Sequence, residues 1–530
     1  MKNIFDFCHG TPKNWTPVIR AALRSKCDGI FFPGGVYHFF SDGAEIRYLF
    51  ISNNDEGLKK VIFFVEGKEP FSIIGDHAEF IFHDRVVPFY FADCASVCLQ
   101  GFNIDFAVPP VIEAEVINVD DDYTTLLLPD DRSYYIIDGK ICFLNDEYKF
   151  MQPKMSWNVF DEDKREIKEG RAPGNFSLKS EEIKPHVVKV ANNYHHPEQG
   201  DQIVIKAEPR LNPGIVFSSC CDVHISQINL FCSGGMGIIA QNSFDFSLGN
   251  VNIQVRDKGK RRISVSDDAV HFSNCGGKIL IQDCIFENQL DDAVNIHGIY
   301  RKYMCFGESL LQTGHYQQMG IPFALPGEHV LIGDKCFELK KIYHAQKQYE
   351  VFETNESLPS DLEINTPVMN LDRQPDVEIR NCRIGGNRPR GILCSSGGKV
   401  RIENNRIHTP GAGIFIAGDS RFWYEAGPVT DVLIQNNTFD NCFYQKYCTS
   451  TRAVIDIHPS AEKMIQTYFH HNIRIMHNHF MDNHKLMLCA DNVDGLVFAN
   501  NTWEHDKTYS AQTSGISVRI DHCVNVQISN

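Results

Sequence analysis

Two acidic pairs in one frame are the residues whose spacing suits chemistry. Asp267-Asp268-Ala269-Val270-His271 recurs as Asp291-Asp292-Ala293-Val294-Asn295-Ile296-His297, with Asp268 and Asp292 24 residues apart. Two carboxyl groups across a scissile bond are what glycoside hydrolysis needs. An inverting enzyme holds them roughly 6.5–9.5 Å apart and a retaining one about 5–5.5 Å. Crowded carboxylates also raise one another's pKa, which a general acid at neutral pH requires. An isolated Asp-Asp pair is an ordinary turn or helix cap. A repeat of the whole frame, each copy followed closely by His, argues for more.

His271 and His297 read as polar wall residues or as hydrogen-bond partners that orient a carboxylate; Asp267 and Asn295 share the same wall. Downstream, Arg388, Arg390 and the segment Gly418–Val429 add Arg421, Trp423, Tyr424 and Glu425. A ring beside a carboxylate makes a sugar platform, with the ring on the C–H face and the acid on hydroxyls. We expect substrate contacts from Asp267, His271, Asn295, His297, Arg390, Trp423 and Glu425. No Cys/His zinc spacing or third metal ligand is visible, so no metal and no cofactor is expected. A calcium site made of carboxylates would instead suit a lyase.

The elements that position these residues are short and repeated. An octet of alternating apolar residues around a turn-forming pair occurs as VHISQINL (223–230), ILIQDCIF (279–286), VEIRNCRI (377–384), VRIENNRI (400–407), VLIQNNTF (432–439), IRIMHNHF (473–480) and LVFANNTW (496–503). Val377 and Val400 are 23 residues apart, as are Ile473 and Leu496. Such a period with Asn, Cys and Gly at corners predicts a right-handed parallel β-helix. Inward residues then stack on their counterparts about 4.8 Å away. Asn404-Asn405, Asn436-Asn437 and Asn500-Asn501 are predicted corners, because Asn tolerates the left-handed conformation and its amide bonds the coils above and below. A leucine-rich repeat would need a consensus that is not present.

The acidic pairs thus become neighbours on one wall, near 4.8 Å apart in strict register and further apart across a one-residue stagger such as Asp268 against Asp291. Adjacent residues of a straight strand face opposite ways, so both members of a pair reach one groove only if the backbone bends there.

Residues 107–212 and 301–372 break the pattern with alternating strands bounded by Gly, Pro and Asp, and read as inserted small antiparallel β-barrel-like domains. The expected order is an N-terminal cap and first coils (1–106), an insertion (107–212), coils with the acidic motif (213–300), a second insertion (301–372) and C-terminal coils (373–530). A helix from Thr16 to Arg24, with Thr16 as cap and Pro17 first inside, should present Val18, Ala21, Ala22 and Leu23 and close the first coil.

Composition is that of a folded globular chain, 43% hydrophobic and 22% charged, and the net charge of −16 argues against a nucleic-acid or anionic-membrane partner. Many of the 18 cysteines, among them Cys98, Cys284, Cys382 and Cys442, sit beside or inside apolar runs and read as small buried residues. That favours a reducing compartment. No stretch of about 18 apolar residues predicts a membrane span. The N-terminus shows no signal, so a cytoplasmic location is expected unless a signal was removed. Oligomeric state stays open, a homo-oligomer included.

With these motifs in view the chain resembles glycoside hydrolase family 110, the α-1,3-galactosidases that include blood-group-B-cleaving enzymes. The resemblance spans nearly the whole chain: FFPGGVYHFF, EIRYLFISNNDEGLKK, HFSNCGGKILIQDCIFENQLDDAVNIHG, GNRPRGILCSSGGKVRIENN and IAGDSRFWYEAGPVTDVLIQNNTF. It implies a β-helix with two inserted β-barrel domains. It also implies metal-independent, inverting, exo-acting release of terminal α-1,3-linked galactose from a glycan, blood-group-B-type or linear. Carried over by motif, Asp291 is the general acid, and Asp268 and Asp292 hold and activate the water. The family more often has Ala-Thr where this chain has Ala-Val. Other readings from different classes are a polygalacturonase-like hydrolase or calcium-dependent lyase, and a non-catalytic glycan-binding β-helix.

Overall fold

A computed structural model describes the chain except residues 26, 68, 144–155, 172, 176–178, 193–196, 207–209, 257–260, 305–306, 315–318, 446, 448–450, 461–468, 484, 512–516 and 530. The octets set its long axis, that of an all-β, right-handed parallel β-helix. Their first residues align coil upon coil: Val223, Phe246, Ile279, Val377, Val400, Val432, Ile473 and Leu496 pair in sequence with parallel register. All eight are buried.

Octet positions five and six make the corner. Position five holds Asp283, Asn381, Asn404, Asn436, His477 and Asn500, every one at a φ between 54° and 58°. Position six turns inward as a column, Cys284, Cys382, Asn405, Asn437, Asn478 and Asn501. Along it, Asn405 Nδ2 donates to Asn437 Oδ1, Asn437 Nδ2 to Asn478 Oδ1 and Asn478 Nδ2 to Asn501 Oδ1, each at 3.0 Å. The expected Asn corners therefore divide their work. The first residue supplies the left-handed backbone and the second the ladder, so buried amides are satisfied by the next coil. Cys284, Cys382 and Cys442 are free and buried, and Cys98 is free and half-buried.

A second parallel sheet runs through Ile215–Ser218, Ile238–Gln241, Val270–Ser273, the start of Val294–Tyr303, Ile392–Ser395, Ile414–Ile416, Ile455–Ile457 and Leu488–Asp491. Its inward residues and those of the octets share one apolar core.

The N-terminal helix spans Thr16–Arg24 as expected, but Thr16 lies inside it. Trp15 occupies the cap position without a side-chain bond, and the Thr16 hydroxyl donates instead to Phe40 O at 2.7 Å. Ile19 is buried where Ala21 was expected, and Ala21 is exposed. No helix among the described residues is long and apolar enough to cross a membrane.

Two antiparallel units leave the coil. Seven strands between Ile112 and Lys206 form one sheet around their own core, flanked by the hairpin Tyr134–Ile137 and Lys140–Phe143. Further on, six strands close a small barrel. The tail of Val294–Tyr303 pairs with Leu310–Gly314, then Tyr349–Thr354, Lys335–Ala345, His329–Ile332 and Pro367–Asn370, which pairs back to the first. Inside it, Arg301 Nε meets Glu350 Oε2 at 3.1 Å with both side chains fully buried.

Candidate active site

Each acidic pair sits in the bend that leads into a strand of the second sheet, immediately before Val270–Ser273 and before Val294–Tyr303. The bend lets neighbours share one side, which a straight strand forbids. Val270 pairs with Val294 and Val294 with Ile392. Counting back two residues in each coil, Asp268, Asp292 and Arg390 occupy the same place on three successive coils.

That alignment explains the first contact. Arg390 in the third coil forks onto Asp292 in the second, Nε to Oδ1 at 2.8 Å and Nη2 to Oδ2 at 2.7 Å. Asp292 N donates to Asp268 Oδ1 at 3.2 Å. Asp267, fully buried, accepts from Arg210 Nε at 2.8 Å, from Ser266 Oγ at 3.0 Å and from Lys206 Nζ. Arg210 also reaches Asp291 Oδ2 through Nη2 at 2.8 Å. Asp291 is the most open of the four, its side chain 19% exposed.

Lys206 and Arg210 belong to the end of the first inserted sheet and to the segment that returns from it to the coil. The sequence reading missed both, since no periodicity ties them to residues 57–85 positions away. Asn53, also missed, has its amide nitrogen 3.3 Å from His271 Nε2.

On the other side of Asp268 the contacts run inward. His271 Nδ1 lies 2.6 Å from Asp268 Oδ2, and His271 Nε2 lies 3.0 Å from His297 Nε2. His297 Nδ1 is 2.7 Å from Gly298 O. The Val294–Tyr303 strand pairs antiparallel with Glu425–Ala426, which brings Glu425 Oε1 to 3.7 Å from His297 Nε2 and 3.5 Å from Asn295 Nδ2.

Asp267, Asp268, Asp291, Asp292, His271, His297, Asn295, Arg390 and Glu425 thus form one contiguous set. Trp423 stands outside that set of contacts. It lies exposed on a turn whose N–H groups at Arg421, Phe422 and Trp423 all donate to Asp419, with its ring edge-on to Phe422 at 5.0 Å.

The electrostatics separate the carboxylates. Burial, then the charge of Asp291, pushes Asp268 well above the usual carboxylate range. Burial acts on Asp291 too, but Arg210, Arg388, Arg390 and Lys206 outweigh it and hold Asp291 below that range. Asp292 is pushed up by burial and by its two carboxylate neighbours, with the Arg390 fork as the strong opposing influence. Both of its oxygens accept N–H donors, the geometry of a carboxylate anion. Burial lowers His271 and His297 to about 4 each, so both imidazoles are neutral at neutral pH.

Oxygens of Asp268, Asp291 and Asp292 all lie within 4.8 Å of one another, the one set of metal-ligand spacing among the described residues. The fit to an ion is poor. Asp292 gives both oxygens to Arg390, Asp291 faces Arg210, and Asp268 is engaged by His271 and Asp292 N–H. The positive charge an ion would bring is already present as guanidinium groups. The 4.8 Å distance is between single oxygens and not between whole carboxyl groups, so it assigns no stereochemistry.

Residues 368–530 match a family model described as a right handed beta helix region. The chain is 31% identical to alpha-1,3-galactosidase A of Shewanella woodyi, covering 94% of this chain and 85% of that protein. It is 32% identical to alpha-1,3-galactosidase B of Bacteroides thetaiotaomicron, covering 98% of this chain and 88% of that one. With that identity maintained over nearly its whole length, the chain belongs to the α-1,3-galactosidase family, glycoside hydrolase family 110.

Proposed function

We propose that the chain is an exo-acting, inverting, metal-independent α-1,3-galactosidase. The observation that carries the reading is the stacking of two acidic bends and Arg390 on three successive coils, in a chain whose relatives bear that name. Asp291, the carboxylate that reaches solvent, delivers a proton to the glycosidic oxygen. Asp268 and Asp292 hold the attacking water and take its proton. The resting ion pair with Arg210 keeps Asp291 ionised. A sugar arriving there strips water from Asp291 and competes for Arg210, and both changes favour the protonated acid. Phe422 and Trp423 offer apolar rings at the outer edge, three and two residues before Glu425.

The test is incubation with galactose-α-1,3-galactose and with a fucose-branched B-type trisaccharide, chelator present and absent, following the first-formed anomer by proton NMR. β-Galactose appearing first, with chelator making no difference, is expected. α-Galactose first refutes inversion, loss of turnover with chelator refutes metal independence, and no release from either sugar refutes the substrate class.

A further inference from the structure

The hydrogen bonds behind Asp268 admit only a few placements of their protons. Gly298 O accepts but never donates, so His297 Nδ1, 2.7 Å away, carries a hydrogen. With His297 neutral, its Nε2 is a bare lone pair, and His271 Nε2 at 3.0 Å must be the donor. His271, also neutral, then has a bare Nδ1. The 2.6 Å contact between that nitrogen and Asp268 Oδ2 closes only if the proton sits on Asp268. The same placement requires the Asn53 amide, whose nitrogen stands 3.3 Å from His271 Nε2, to present its oxygen there instead; the two ends of an amide are exchangeable in such assignments. The rings meet edge to face with centroids 4.9 Å apart, and Asp268, His271 and His297 are all buried.

A protonated carboxylic acid is a poor base, and Asp268 Oδ1, which accepts Asp292 N–H at 3.2 Å, is the oxygen left over for the attacking water. We infer that Asp268, His271 and His297 form a proton relay that lets Asp268 act as a base while it starts out protonated. This rests on the hydrolase reading above. As the oxygen of the attacking water bonds to the anomeric carbon, the bond from that carbon to the leaving oxygen breaks, and Asp291 protonates the leaving oxygen. The proton lost by water goes to Asp268 Oδ1, the proton on Oδ2 passes to His271 Nδ1, and the proton on His271 Nε2 passes to His297 Nε2. The imidazolium formed at His297 faces Glu425 Oε1 at 3.7 Å. When product leaves, the reverse sequence returns one proton to Asp268, from which it crosses to Asp291, whose nearest oxygen lies within 4.8 Å. His271 and His297 touch no substrate in this scheme; they are positioning residues that act through Asp268.

The variant that isolates the relay is His297→Gln, whose amide oxygen accepts from His271 Nε2–H but takes no proton. We expect kcat to fall about 100-fold with KM within about twofold of wild type. The wild-type proton inventory in mixed H2O and D2O should be bowed and that of the variant straight. A variant kcat within about threefold of wild type, or identically shaped inventories, overturns the relay. A neutron structure of the wild-type protein supplies the second measurement, and stands even where the variant fails to fold. Deuterium on Asp268 Oδ2 opposite a bare His271 Nδ1 supports the proposal. Deuterium on His271 Nδ1 opposite an ionised Asp268 overturns it. A wild type that releases no galactose, whatever the neutron map shows, rejects the hydrolase reading and is told apart by that first assay.

Discussion

Replacing Arg390 with Met removes the fork from Asp292 while keeping most of the apolar stem. Asp292 is 1% exposed, and both of its oxygens are taken up by the fork. Removing one partner of a buried ion pair costs about 3–5 kcal/mol. A second route gives a similar figure. The stranded carboxylate escapes by taking up a proton, which at pH 7, from an unfolded pKa near 3.9, costs about 4 kcal/mol. At pH 5 the same step costs about 1.5 kcal/mol. The sign follows from linkage. In the variant Asp292 has a folded pKa above its unfolded one, so the folded state binds the extra proton, and stability is lost as pH rises above about 3.9. Arg390 opposes that rise in the wild type, so losing it lifts the folded pKa of Asp292 further, and the loss relative to wild type should be larger at pH 7 than at pH 5. Urea unfolding midpoints at the two pH values measure this. A second substitution, Asp292→Asn, leaves no charge to strand and should recover most of the stability at pH 7 without recovering activity. Equal losses at both pH values, or no recovery with Asn, would show that Arg390 acts through packing and refute the electrostatic argument.

Arg210→Met takes away the strongest cation holding Asp291 down. With Asp291 as proton donor, its pKa sets the alkaline limb of kcat/KM, and that limb should move to higher pH in the variant; a pH–rate profile checks it. Asn437→Ala removes the side-chain bonds to Ile402 O, Asn478 Oδ1, Asn405 N and Asn405 Nδ2, although Asn478 Oδ1 keeps the Asn437 backbone N–H and Asn405 Nδ2 keeps Ile379 O, and should cost about 3 kcal/mol by urea unfolding with activity per folded molecule kept. His408 is lowered by burial, but its bond to Glu166 Oε2 at 2.7 Å outweighs this and raises its pKa. The stabilisation is then full below the unfolded pKa near 6.5 and is lost as pH rises through the folded value. The difference in melting temperature between wild type and His408→Gln should accordingly shrink from pH 6 to pH 9.

The coil was legible because stacking demands repetition. Octet position one must be apolar wherever a coil lies above and below it, and position six must be small or self-complementary, so Val377, Val400, Asn405 and Asn437 announce themselves by spacing alone. His477 at the left-handed position five did not, because His resembles no corner consensus and is carried there by its neighbours. The acidic bends were legible for the same reason as the octets: they are one frame repeated. The turning of Asp291 and Asp292 to one side was not, because a period of two inside a strand says nothing about the residues just before it. Lys206, Arg210 and Asn53 were silent, since their roles arise from contacts across long sequence separations that no local pattern encodes. Trp423 was expected on an outward loop beside Glu425, and the Asp419 turn does hold it outward; that this turn is pinned by three N–H groups on one carboxylate was not legible.

The division between what repeats and what does not also divides the charges. Four carboxylates crowd two adjacent bends of the coil, and the coil itself supplies them with Arg390 in contact and the charge of Arg388 near Asp291. The remaining cations in contact, Lys206 and Arg210, arrive from the inserted sheet and the segment leaving it. That sheet must therefore be held in place for the site to exist. Ile167, Phe160 and Val204 of the insertion pack with Ile263 and Leu290, the latter directly preceding Asp291. Glu166 binds His408 and Tyr509, and Gln445 Nε2 donates to Lys168 O at 2.7 Å and Arg171 O at 2.9 Å, so the insertion's outer loop is tied to later coils. Crowded carboxylates resist ionising together, and the clasp is what brings the compensating charge to them. An insertion that looks like an interruption of the repeat is, electrostatically, the missing half of the site.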